Sequence, residues 1–106
     1  MPRFVTVAVC AALSLVGVAY AQTFITLQTK YAELSKAECL DHADRAIRRA
    51  GFDVPGTTEN ARHGIRGQYT VQVYCGDVDK GLVFFVTAGA SGKLTEQYMD
   101  DVLKGF

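Results

Sequence analysis

This chain has no surplus of charge. Its 11 basic and 11 acidic side chains cancel over 106 residues, and such a surface neither concentrates nucleic acid nor steers toward anionic lipid. Nucleic-acid affinity rests on phosphate neutralisation, so the balance argues against that class of partner. Cysteine is scarce too, at three residues. No internal repeat and no low-complexity tract divides the chain, whose length suits one domain and is too short for two.

The one long hydrophobic run stands at the start. Met1, Pro2 and Arg3 form a short positive opening, residues 4–18 are almost unbroken apolar sequence, and Ala19 and Ala21 place small side chains at −3 and −1 of a cleavage point before Gln22. The expectation is a signal peptide over residues 1–21 and a single domain over residues 22–106, periplasmic or secreted, with no membrane attachment after cleavage. Two alternatives use the same residues. At ~1.5 Å per residue, residues 4–21 reach about 27 Å, just enough for an uncleaved anchor. Ser14, Gly17 and the lack of a following basic cluster weigh against that. Lipidation at Cys10 would follow Val7-Ala8-Val9, which lacks the expected leucine and leaves little hydrophobic sequence ahead of the cysteine.

Loss of the leader removes Arg3 and Cys10 and leaves 10 basic residues against 11 acidic ones. Two cysteines remain, Cys39 and Cys75, and in an oxidising compartment an isolated pair is most simply a disulfide. The loop it closes is long enough for a stabilisation of about 4 kcal/mol in the chain-entropy model.

Residues 22–31 alternate, with Phe24, Thr26 and Gln28 on one side and Ile25, Leu27, Thr29 and Tyr31 on the other, which predicts a strand. Ser35 with Glu38 three positions on has capping-box spacing for a helix over 36–50. Cys39, Leu40, Ala43, Ala46, Ile47 and Ala50 form its apolar stripe, and Gly51 is placed to end it, followed by Phe52. Residues 53–66 hold Pro55, Gly56, Asn60 and Gly64 without either period and are expected to be a long loop. Residues 67–75 alternate again, Tyr69, Val71, Val73 and Cys75 against Thr70, Gln72 and Tyr74, and residues 82–88 are a second β-rich run. Together they predict an antiparallel hairpin. A closing helix is expected over 93–104. The resulting class is α+β: a small three-stranded, mainly antiparallel sheet with two helices on one face, in the order β-α-β-β-α. Cys39 on the helix stripe and Cys75 on the strand's apolar face would meet in the layer between.

No constellation of catalytic residues stands out. The stretch Gly89-Ala90-Ser91-Gly92-Lys93 fails the phosphate-loop pattern at Thr87 and at Leu94 and reads as a turn capped by Ser91. Cys39, His42, His63 and Cys75 could in principle form a metal site, but oxidation competes with thiolate ligation outside the cytosol, so no metal or other cofactor is expected. Ser91 and His63 carry no sign of convergence into a triad. A local basic excess at Arg45, Arg48, Arg49, Arg62 and His63 makes Arg45, Arg49, Arg62 and His63 candidates for small-anion or metal binding. Across the hairpin, Gln72, Tyr74, Val83, Phe85 and Thr87 are assigned to the face away from the helices. That gives a partly apolar outer surface of the kind used by a protein partner or a homodimer.

The leader, the strand at Phe24, the helix from Cys39 to Gly51-Phe52 and the strands ending at Cys75 and Gly89 resemble small exported bacterial proteins of unknown function. The resemblance is one of pattern and implies the architecture and the cysteine pairing, with no activity. The functional expectation is a non-enzymatic interaction module, with anion or metal binding by the helix and loop over residues 45–63 as the alternative.

Overall fold

The structure, a computed structural model, describes residues 23–76 and 81–106. The expected leader and the centre of the turn before residue 81 lie outside them. Among the described residues no helix is long and apolar enough to cross a membrane. The element order is β1 (Phe24–Tyr31), α1 (Lys36–Arg49), β2 (Ala61–Arg66), β3 (Tyr69–Tyr74), β4 (Leu82–Gly89) and α2 (Gly92–Gly105). The class is α+β as the sequence predicts. The sheet, however, has four strands in the order β1-β4-β3-β2, every neighbouring pair antiparallel.

The added strand is β2, which lies in the stretch expected to be a loop. Its sequence, Ala-Arg-His-Gly-Ile-Arg, has little intrinsic strand preference, and tertiary pairing creates it. A two-residue turn, Gly67-Gln68, folds it back on β3 so that Arg66 faces Tyr69 and Ala61 faces Tyr74. Gly67 takes φ +60°, the left-handed conformation required at the first central position of this kind of hairpin turn. At Gly64 the sheet comes against α1 so closely that a Cβ would stand 2.8 Å from Cβ of Phe52. Only glycine lets the strand lie there.

Helix α1 begins as its spacing predicts. The Glu38 N–H donates to the Ser35 hydroxyl and the Ser35 N–H donates to the Glu38 carboxylate, each at 3.2 Å, a complete capping box. Gly51 follows the helix with φ +86°. Helix α2 starts at Ser91, whose hydroxyl accepts from the Leu94 N–H at 3.3 Å. Both helices lie on the same side of the sheet, α1 over β2 and β3 and α2 over β4 and β1.

The layer between is the core: Cys39, Ala43, Ala46 and Ile47 from α1, Val71 and Val73 from β3, Val83 and Phe85 from β4, and Met99 and Val102 from α2. Cys39 and Cys75 form a disulfide with their Cα atoms 6.1 Å apart, both fully buried. It fastens α1 to the end of β3. Phe106 closes one end of the core with its ring 5.1 Å from that of Phe85 and 5.6 Å from that of His42. At the other end Tyr98 packs edge-on against Phe52 and Tyr69.

Candidate interaction surface

The register assigns each strand residue to a face, since successive side chains point to opposite sides of a sheet. Four cross-strand rows face away from the helices: Ile25, Ala88, Thr70 and Ile65; Leu27, Val86, Gln72 and His63; Thr29, Phe84, Tyr74 and Ala61; and Tyr31 with Leu82. None of these residues is Asp, Glu, Lys or Arg. Ile25 is 69% exposed, Leu27 61% and Tyr31 77%, with Ile65 and Tyr74 near 40%. Tyr74 and Phe84 pair across the strands with ring centroids 6.3 Å apart. Both helices lie on the opposite side of the sheet, and of these outward residues Ala61 alone is buried. The usual arrangement in a sheet covered on one side is polar residues outward. Here the opposite holds, most plainly at β1, which turns Thr26, Gln28 and Lys30 together with Phe24 toward the helix side and Ile25, Leu27 and Tyr31 outward.

The sequence assignment of this surface needs correction on β4. Gln72 and Tyr74 do face outward, but Val83 (1% exposed), Phe85 (0%) and Thr87 (1%) lie in the core, and the outward residues are Leu82, Phe84, Val86 and Ala88. Every position of β4 up to Ala88 except Thr87 is apolar, so alternation gives no orientation. The pairings Val73 with Phe85 and Val71 with Thr87 decide it. The one polar side chain, Thr87, is buried because it has partners. The Thr87 hydroxyl donates to the Thr95 carbonyl oxygen at 2.7 Å. The Thr95 hydroxyl donates to Gly92 O at 2.9 Å and accepts from the Thr26 hydroxyl at 3.1 Å. A satisfied hydroxyl carries no large burial penalty.

The two edges of the sheet differ. Along β2, the segment after α1 folds back and pairs at Asp53 with Ile65 and at Thr57 with Arg62. The Asp53 N–H donates to Ile65 O at 2.9 Å and the Ile65 N–H to Asp53 O at 2.8 Å. Among the described residues β1 has a strand partner on one side only.

The basic candidates do not converge. Arg62 and His63 are adjacent on β2 and therefore point to opposite faces. The Arg62 guanidinium is engaged locally, donating to Thr58 O at 2.7 Å and Ala61 O at 2.9 Å. Arg45 pairs with Asp41 at 3.1 Å and Arg48 with Asp44 at 2.9 Å, both on the exposed face of α1. Arg49 lines a different, shallow groove with Gly51, Arg66, Asp101 and Lys104. That groove was not anticipated from sequence, because Arg66 reaches it only through the unrecognised strand β2. Arg66 donates to Ala50 O at 2.8 Å and lies over the Tyr98 ring at 4.8 Å. With Arg49 it sits where α1 ends, and Lys104 stands in the last turn of α2; cations at such positions complement the partial negative charge of free carbonyls.

Cys39 and Cys75 are bonded to each other and offer no thiolate. Among the described residues no group of three or more His, Cys, Asp or Glu could hold a metal ion. His42 lies on α1 with Nδ1 3.1 Å from the backbone oxygen of Phe106; an oxygen can only accept, so Nδ1 carries the proton. His63 lies on the outer sheet face and Ser91 is occupied as a helix cap. Glu38 belongs to the cap of α1. Hydrogen bonds from the Ser35 side chain and then its backbone N–H hold its carboxyl below the ordinary value of 4.5. It is a capping residue and not part of a site. No protein-family model and no curated protein matches the chain.

Proposed function

We propose that this protein is an exported, non-enzymatic interaction module that binds a protein partner through the outer face of its sheet. One observation carries the reading: a four-stranded face without a charged residue, exposing Ile25, Leu27 and Tyr31. An exposed apolar patch of this extent is of the size that often serves a function. The buried disulfide is consistent with an oxidising compartment, as the leader-like start of the sequence is. The anion-binding alternative has no comparable support, since its four residues face different ways.

Amine- or carbonyl-independent photo-crosslinking in the native compartment tests the reading. A photoreactive residue at Leu27 should give a discrete adduct that is lost when Val86→Lys is added, while circular dichroism stays unchanged. An adduct yield that Val86→Lys leaves intact would refute it. Export is tested separately by a mass spectrum of the accumulated protein. The expected species starts at Gln22 and gains two hydrogens on reduction, and a product that retains residues 1–21 would contradict the processing.

A further inference from the structure

The geometry points to a second copy of this chain as the occupant of the outer sheet face, two such faces packing against each other about a two-fold axis into a four-layer helix–sheet–sheet–helix dimer. The inference rests on the interaction-module reading and names its partner. Charge is the first argument. A face without Asp, Glu, Lys or Arg offers no electrostatic register to a charged partner, whereas two copies meet without like-charge repulsion. His63 sits at the margin, on β2, and Thr70 and Gln72 leave hydrogen-bonding groups beside the apolar centre at Phe84 and Val86.

Size is the second argument. Four strands at ~4.8 Å spacing, six to eight residues long at ~3.3 Å per residue, cover roughly 19 Å by 20–26 Å. The footprint is on the order of 400–500 Å² per copy, so a pair approaches the ~1,000 Å² that a specific interface needs only if the whole face is used. The partner must therefore be flat, apolar and equally large. A second copy of the same sheet meets all three requirements, and sheets stacked ~10 Å apart with strands roughly aligned are a standard packing. An area at the lower limit belongs with weak, transient associations, so the dimer is expected to be reversible.

Sedimentation equilibrium of the processed protein over a concentration series tests this. The expected result is a monomer–dimer equilibrium that Val86→Lys, at the centre of the face, weakens on the order of a hundredfold or more, because the new charge would be buried unpaired. Leu27→Lys, on the exposed edge strand, should act in the same direction and serves if Val86→Lys does not fold. A wild type that stays monomeric at ~1 mM overturns the inference. If the Leu27 adduct then persists on another protein, the interaction-module reading survives without it. A dimer indifferent to Val86→Lys but broken by changes in β1 would mean edge pairing through β1 and overturns face packing. A monomer that sediments with phosphatidylcholine vesicles would assign the face to lipid and overturns it as well.

Discussion

At the scale of single residues, the clearest separation lies between neighbours on β4. Phe85 is fully buried between Phe106 and the helix layer, while Phe84 looks out beside Tyr74. Phe85→Ala should therefore cost about 3–5 kcal/mol, and Phe84→Ala, at a half-buried position, clearly less. Urea titrations of the two variants read the difference directly, and equal effects would mean that the strand is turned over. Glu38 provides a second residue-level test. Its carboxyl is held below the ordinary value in the folded chain by Ser35, so the unfolded chain binds the proton more readily. The contribution of the capping box is fully present above the unfolded value and disappears as pH falls through the lowered folded value. Glu38→Gln should flatten the acid limb of a stability–pH profile below the ordinary glutamate value of 4.5. Ser35→Ala should lower stability by about 1 kcal/mol at neutral pH.

At the scale of elements, the helices and the hairpin partner β3 were legible because their signals are local. Ser35 and Glu38 stand at a fixed spacing, the α1 stripe repeats at the helical period, and β3 alternates cleanly between Val71 or Val73 and Thr70 or Gln72. β2 was not legible. Arg62, His63 and Arg66 disfavour burial on either face, and the strand exists because Gly67 turns it onto β3 and Gly64 lets it slide under α1. Gly64→Ala should cost about 1–3 kcal/mol through overpacking against Ile47 and Phe52. Gly67→Ala should cost about 1–2 kcal/mol through backbone strain alone, with amide exchange accelerating first in β2. Unchanged exchange there in both variants would contradict this account of the strand.

At the scale of the whole molecule, the disulfide is the strongest single constraint, because it joins α1 to β3 across 36 positions of sequence. The chain-entropy estimate for such a loop is about 4 kcal/mol, a large share of the stability expected of so small a domain. Cys39→Ala with Cys75→Ala should lose about 2–5 kcal/mol, measured as a shift in the urea midpoint. Both sulfurs are buried, so reductant alone should act slowly on the folded protein and quickly in mild denaturant. Rapid reduction in native buffer would show that the bridge is reachable without unfolding. Among the described residues the same architecture puts both helices on one sheet face and leaves Ile25, Leu27 and Tyr31 exposed on the other, and the interaction reading belongs to that asymmetry.

The amino-acid sequence by itself determined what depends on neighbours along the chain: the cap and stripe of α1, the alternation of β3 and the α+β class. Tertiary structure decided which way β4 faces and whether the stretch before Gly67 is loop or strand. Those outcomes depend on register with partners far away in sequence. A strand apolar on both sides, such as Leu82–Gly89, has no preferred side until β3 and β1 pair with it. The outer surface follows from that choice, since Phe84 and Val86 join Ile25 and Leu27 on one face only when Phe85 and Thr87 are taken into the core.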